Sequence, residues 1–172
     1  MSADPDFIPL HLCVLTVSDT RTVAEDKSGD YLVDALQQEG HHLVERAILR
    51  DDRYQLRALV SRWIADAKVD GVLITGGTGF TGRDSTPEAL LPLLDKEMPG
   101  FGELFRAISF EEIGTSSLQS RAFAGLANST FLFCLPGSTS ACRTGWEKII
   151  CAQLDARTQP CHLATLRPPL TE

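Results

Sequence analysis

The chain has 172 residues, 43% of them hydrophobic and 23% charged, a balance that supports one folded domain without disulfides or a structural metal and excludes a disordered polymer. Its formal net charge of −7 and the absence of any Lys- and Arg-rich segment argue against nucleic acid as a partner, although amides and a single Arg can still focus on an anion locally. Five cysteines without a C-x-x-C pair suggest neither a disulfide framework nor a zinc site and fit a reducing cytoplasm. No window approaches the ~20 apolar residues of a membrane span, and residues 1–9 carry no basic, then apolar, leader, so no membrane partner is expected.

In chain order, Leu12 to Ser18 is a nearly continuous apolar run that predicts a strand buried on both faces. From Ser28 the spacing of Tyr31, Leu32, Ala35 and Leu36 predicts a helix closed by Gly40. A second strand follows over Leu43 to Leu49. Leu56, Leu59, Val60, Trp63, Ile64 and Ala67 recur at helical spacing, and Gly71 to Thr75 returns to the buried-strand pattern. Ser85-Thr-Pro-Glu88 reads as a capping box opening a helix through Leu94. Further helices are predicted around Phe101 to Phe110 and Leu118 to Leu126, then a strand over Thr130 to Leu135 and a helix bearing Trp146, Ile149, Ile150 and Leu154. Alternating strands and helices imply a three-layer α/β/α domain over residues 1–172, with a mostly parallel central sheet and loose tails at 1–8 and 165–172. Ligands in such a fold sit beyond the carboxyl ends of the strands.

Three strand ends run straight into polar or glycine-rich loops: Ser18-Asp-Thr-Arg21, Thr75-Gly-Gly-Thr-Gly-Phe-Thr-Gly-Arg-Asp84 and Leu135-Pro-Gly-Ser-Thr-Ser140. Gly76, Gly77 and Gly79 allow the backbone to approach a ligand, and Thr75 and Thr78 add hydroxyls, which suits a phosphate cradle without lysine. A glycine pair alone more often makes a tight corner, but four glycines within seven residues forfeit too much chain entropy for a simple turn. The segment matches neither the Walker loop nor G-x-G-x-x-G, so spacing alone leaves the type of phosphate loop open. Asp84 follows this loop and Asp51-Asp52 closes the second strand. Carboxylates meeting phosphates there could share Mg2+, while Asp51 and Asp52 could each equally cap the next helix.

The string Thr75-Gly-Gly-Thr-Gly79 with Arg83-Asp-Ser-Thr-Pro-Glu-Ala89 resembles the signature of the MoaB/MogA family of molybdenum-cofactor biosynthesis proteins. Pro99-Gly-Phe-Gly-Glu103, the stretch from Ser109 to Ala122, Leu135-Pro-Gly-Ser138, Ala141-Cys-Arg143 and Gln153-Leu-Asp-Ala-Arg157 resemble its MoaB branch, so that the likeness covers Ile8 to Cys161. The resemblance implies a molybdopterin-binding fold, assembled as a homotrimer or homohexamer. It also implies a reaction in which the terminal phosphate of molybdopterin attacks the α-phosphate of Mg-ATP, and the adenylylated product passes to a metal-insertion enzyme. Carried over onto this chain, the family's two loop aspartates fall on Asp51 and Asp84, as catalytic and Mg2+-holding residues, with Asp52 as local rival. Ser18, Asp19, Thr75, Gly76, Gly77, Thr78, Gly79, Gly137 and Ser138 are then the expected nucleotide and phosphate residues, and Gly114, Thr115, Ser116 and Ser117 the expected molybdopterin cradle. Phe101, Glu103 and Arg106 either wall that cradle or, for Phe101 and Phe105, belong to the core of a helix.

A non-catalytic molybdopterin carrier is the competing reading, and a flavodoxin-like oxidoreductase, lacking any dinucleotide fingerprint, is a weaker third. His41 and His42 are expected on an exposed turn, the cysteines as small buried hydrophobes, and Trp63 and Trp146 as packing anchors or subunit contacts.

Overall fold

The computed structural model describes residues 6–166. Its elements are β1 (His11–Val17), α1 (Lys27–Gln38), β2 (His42–Leu49), α2 (Arg53–Ala65), β3 (Gly71–Thr75), α3 (Thr86–Leu90), β4 (Lys96–Glu97), α4 (Pro99–Ile113), β5 (Phe123–Ala127), β6 (Thr130–Leu135) and α5 (Thr139–Gly145). A π-helical turn, Trp146–Ile150, carries α5 on into α6 (Cys151–Gln153). The six strands form one sheet in the order β2-β1-β3-β6-β5-β4. The first four strands run parallel, and β5 and β4 are antiparallel additions at the edge. The sheet is thus mostly parallel, as the sequence predicts.

Alternation along β1 sends Leu12 and Val14 to one face and Cys13, Leu15 and Val17 to the other, and all five are buried. On the first face they meet Leu32 and Leu36 of α1, Phe101 and Phe105 of α4, and Trp146. On the second they meet Leu56, Val60 and Trp63 of α2 and Leu90 of α3. Burial on both faces makes these strands apolar throughout, and the two tryptophans are packing anchors at 1% and 3% exposure. The chain leaves β1 for β2 through α1 on one face and returns to β3 through α2 on the other, so β1 and β3 flank a topological switch point where their following loops diverge. Thr16, Thr75 and Leu135 share one register level, which brings the ends of β1, β3 and β6 together.

Several local expectations are corrected. Residues 118–126 are not a helix: Gly114–Gln119 is 3-10 helical and Phe123–Ala127 is a strand hairpinned to β6 through Asn128 and Ser129, both at positive φ. Ser85 does not cap α3 with its side chain, because its hydroxyl is spent on Asp51. His41 is buried, not on an exposed turn. Its Nδ1 accepts the Leu10 N–H at 3.1 Å, and its ring lies edge-on to Trp146. Cys13, Cys134 and Cys142 are buried as small hydrophobes, and burial raises all three thiols, Cys142 to about 11; Cys151 is only half-buried and Cys161 is exposed. The Pro168-Pro169 tail lies outside the described residues. No described helix is long and apolar enough to cross a membrane.

Candidate active site

The ends of β1, β3 and β6 open into one cleft of about 520 Å³. Its floor is the turn after β3. Gly76 and Gly77 have φ of +103° and +67°, and the turn presses onto β1 so closely that a Cβ on Gly76 would stand 2.1 Å from the Val17 carbonyl oxygen. A Cβ on Gly77 would lie 2.2 Å from Thr86 Oγ1 and 2.7 Å from Asp51 Oδ2. Only glycine combines that backbone with that approach. The loop's carbonyls are taken up from the protein side: Thr86 Oγ1 donates to Gly76 O at 2.9 Å, Thr86 N to Gly77 O at 3.0 Å, and Arg121 Nε to Gly79 O at 2.8 Å. Thr75 is buried and donates to Pro136 O at 2.8 Å, which ties β3 to the β6 turn and leaves its hydroxyl out of the cleft.

The acids brace this loop from below. Asp52 caps α2, accepting the Tyr54 and Gln55 N–H groups at 3.0 and 2.9 Å. That frees Asp51, whose two oxygens both accept the Ser85 N–H at 3.1 Å and one of which also takes the Ser85 hydroxyl. Asp84, the residue before Ser85, lines the cleft and accepts the Thr81 N–H at 2.8 Å and the Thr81 hydroxyl at 2.6 Å. Partial burial pushes the Asp84 carboxyl up, but the Thr81 hydroxyl and the Thr81 and Gly79 N–H groups outweigh it, leaving it ionised below the usual carboxylate range. Asp51 thus stands behind Gly77 and Asp84 behind Gly79, on adjoining parts of one turn. Asp19 is instead clamped by Arg83 at 2.7 and 2.9 Å, which pulls its carboxyl down to about 2, and it does not line the cleft.

The opposite wall comes from α4, the 3-10 turn and α5. Phe105, Ser109, Glu112, Ser116, Ser117 and Thr144 line it, and Thr144 Oγ1 donates to Glu112 across the helices at 2.8 Å. Of the residues expected from sequence, Ser18, Gly76, Gly77, Thr78, Gly79, Asp84, Ser116, Ser117, Gly137 and Ser138 share this cleft. Asp19, Asp51, Thr75, Gly114 and Thr115 do not line it; Thr115 opens on a separate groove beside Phe110 and Leu118. Phe101 and Phe105 are core residues, Phe105 also reaching the cleft, and Arg106 donates from NH1 to the Ser120 and Ala122 carbonyls and does not line the cleft. Sequence reasoning missed Ser109, Glu112, Thr144 and Arg21 as residues that line the cleft. Ser109 and Glu112, three apart, share one face of α4, a spacing that marks a polar stripe on an otherwise apolar helix.

A family model described as "Probable molybdopterin binding domain" matches residues 13–156. Molybdenum cofactor biosynthesis protein B of Escherichia coli K12 is 60% identical over 157 residues, covering 91% of this chain and 92% of that one, and its Bacillus subtilis counterpart is 44% identical over 142 residues, covering 82% and 84%. A crystal structure of a molybdenum cofactor biosynthesis protein B superposes with a TM-score of 0.83 at 42% identity, covering 86% of this chain and 92% of that one. The tungsten cofactor synthesizing protein MoaB of Pyrococcus furiosus superposes with a TM-score of 0.72 at 39% identity, covering 82% and 90%. This chain belongs to the molybdopterin-binding MoaB/MogA family of molybdenum-cofactor biosynthesis proteins.

Proposed function

We propose that the chain adenylylates molybdopterin with Mg-ATP in this cleft. A terminal phosphate oxygen of molybdopterin forms a bond to the α-phosphorus, and the bond from that phosphorus to the bridging oxygen breaks, the electron pair leaving with pyrophosphate. The observation that carries the reading is the meeting of a lysine-free glycine turn with an ionised carboxylate, Asp84, on the cleft surface. A phosphate nucleophile is already anionic, so the protein needs only to align it and offset growing charge. Within the turn from Gly76 to Gly79, the Gly76 N–H is donated to Leu135 O and the Gly79 N–H to Asp84, so the Gly77 and Thr78 amides are the ones offered to the nucleotide phosphates; Ser18, Gly137 and Ser138 complete that floor, and Ser116 and Ser117 face the pterin from the other wall. Asp84 at the end of the turn and Asp51 behind it, in the loop after β2, offer carboxylate oxygens, a donor type that fits Mg2+, which binds through one or two carboxylates plus substrate phosphates. The ion would offset charge on the triphosphate; Asp84 would hold it, and Asp51 would hold it or keep the turn in place through Ser85.

One observation favours binding without reaction: Asp51 is 8% exposed and both its oxygens are committed to Ser85, so direct metal contact there requires Ser85 to yield. Incubation with molybdopterin and Mg-ATP separates the readings. Adenylylated molybdopterin and pyrophosphate are the expected products, and Asp84→Asn is expected to lower turnover by about 100-fold or more while keeping pterin affinity. Tight binding with no product leaves the carrier. We place the chain in a homotrimer or homohexamer delivering its product to a metal-insertion enzyme; Phe110, Ile113 and Leu118, exposed at 53%, 58% and 81% on the α4 wall, are the apolar surface that assembly would cover, and sedimentation reads the subunit number.

A further inference from the structure

Among the described residues, one cationic side chain lines the cleft, that of Arg21, beside the acids Asp84 and Glu112. The neighbouring guanidinium groups are committed elsewhere. Arg83 is forked onto Asp19, Arg121 is bound to the carbonyls of Gly79 and Asp84 and to Glu88, and Arg143 lies over the Tyr31 ring. Arg21 spends only its NH1, which donates to Ser28 Oγ at 3.2 Å and makes a longer ion pair with Asp26 at 3.8 Å. A guanidinium carries five N–H donors, so most of its capacity is left for a ligand.

The side chain is nevertheless held in place. Ser28 Oγ uses its proton on Gly137 O at 2.8 Å and offers its lone pairs to Arg21, while the Arg21 N–H donates to Ser18 Oγ at 3.1 Å. Arg21 is therefore pinned between the loop after β1 and the turn after β6. Its nearest acid, Asp26, is 3.8 Å away and already filled by Thr16 at 2.7 Å, Gly29 N at 3.0 Å and Arg46 at 2.9 Å. With Arg46 in direct contact, Asp26 does not need the Arg21 charge, which is 34% exposed.

We propose that Arg21 is the phosphate-recognition residue of the cleft, forking its guanidinium onto two oxygens of a phosphate monoester. The planar fork matches that geometry, and charge-assisted bonds of this kind are about twice as strong as neutral ones. The inference rests on the proposed ligands; two of them, molybdopterin and the nucleotide, carry the same chemistry.

The test compares each ligand with its dephosphorylated form: AMP against adenosine, and molybdopterin against its dephosphorylated pterin, titrated calorimetrically into wild type, Arg21→Gln and Arg21→Lys. In wild type the phosphate is expected to improve affinity in at least one pair. Arg21→Gln is expected to cut that advantage by about 10- to 100-fold, and Arg21→Lys, which keeps charge but cannot fork, to restore part of it. General damage to the pocket would weaken both members of a pair alike and leave the ratio standing. Collapse in the AMP pair assigns Arg21 to the nucleotide phosphate; collapse in the pterin pair assigns it to the molybdopterin phosphate. Wild type that discriminates and Arg21→Gln that discriminates equally overturns the role of Arg21 alone. Wild type that binds neither pair overturns it together with the proposed function. Should Arg21→Gln fail to fold, unchanged ratios in folded Arg21→Lys are the overturning result.

Discussion

The two sides of the cleft are built differently. The strand-end side rests on β1, β3 and β6, whose apolar residues are buried on both faces of the sheet, and its glycine turn is fixed by hydrogen bonds to every available carbonyl. The other side rests on the antiparallel edge, with a two-residue β4, a 3-10 turn and several exposed apolar side chains. Under the proposed reaction, phosphate would be placed by the part locked to the core, while the wall proposed to face the pterin hangs on the sheet edge. That division suits a reaction whose geometry lies at phosphorus.

The comparison is sharpened most by Asp26→Ala on the strand-end side. It removes the carboxylate that Thr16, Gly29 and Arg46 all address and leaves Arg46 without its buried partner, so a loss of about 3 kcal/mol is expected by urea denaturation. Burial raises the Asp26 carboxyl, and bonds from Arg46, Thr16 and Gly29 more than reverse this, so its contribution is present at neutral pH and is lost as pH falls through its lowered folded value. Next, Gly76→Ala meets Val17 O and an unfavourable φ, which costs about 1–3 kcal/mol and abolishes ligand affinity, whereas Gly82→Ala, with nothing within 4 Å of the new carbon, is the neutral control within about 0.5 kcal/mol.

On the edge, a Cβ on Gly125 would stand 2.5 Å from Leu94 and 2.6 Å from Lys96 O. Gly125→Ala is expected to cost about 1–2 kcal/mol and to release hydrogen-exchange protection at β4 while β1 and β3 stay protected. Equal loss in both halves would break the division. The smallest effect is a pH dependence from His41, whose ring burial lowers below 6.5. Below that pH the unfolded imidazole gains a proton that the folded one refuses, so the unfolded state binds more protons and the melting temperature should fall as pH drops. His41→Asn should flatten that part of the profile.

The strand-end side was legible because its signals are local. Apolar runs set β1, β3 and β6, and positive φ demands the glycines of the turn. The edge was not, because Leu118, Ala122 and Leu126 fall at four-residue spacing and mimic a helix, while the strand that holds Leu126 depends on pairing with β6 and on left-handed Asn128 and Ser129. Ser85 and Glu88 read as a capping box, yet long-range partners, Asp51 and Arg121, claim both side chains. The choice between Asp51 and Asp52 turned on which one faces the first N–H groups of α2, and spacing is blind to that. Arg21 stood in view within its loop, but what distinguishes it, its place on the cleft wall while Arg83 and Arg121 are bound to other partners, exists only in three dimensions.

The most direct test of the whole account is a crystal structure with molybdopterin and a non-hydrolysable Mg-ATP analogue. The account requires the triphosphate over Gly76 to Gly79 beside Asp84, with the pterin against Ser116 and Ser117. Either ligand seated elsewhere, as in the apolar groove between Phe101, Leu104 and Ile149, would contradict it.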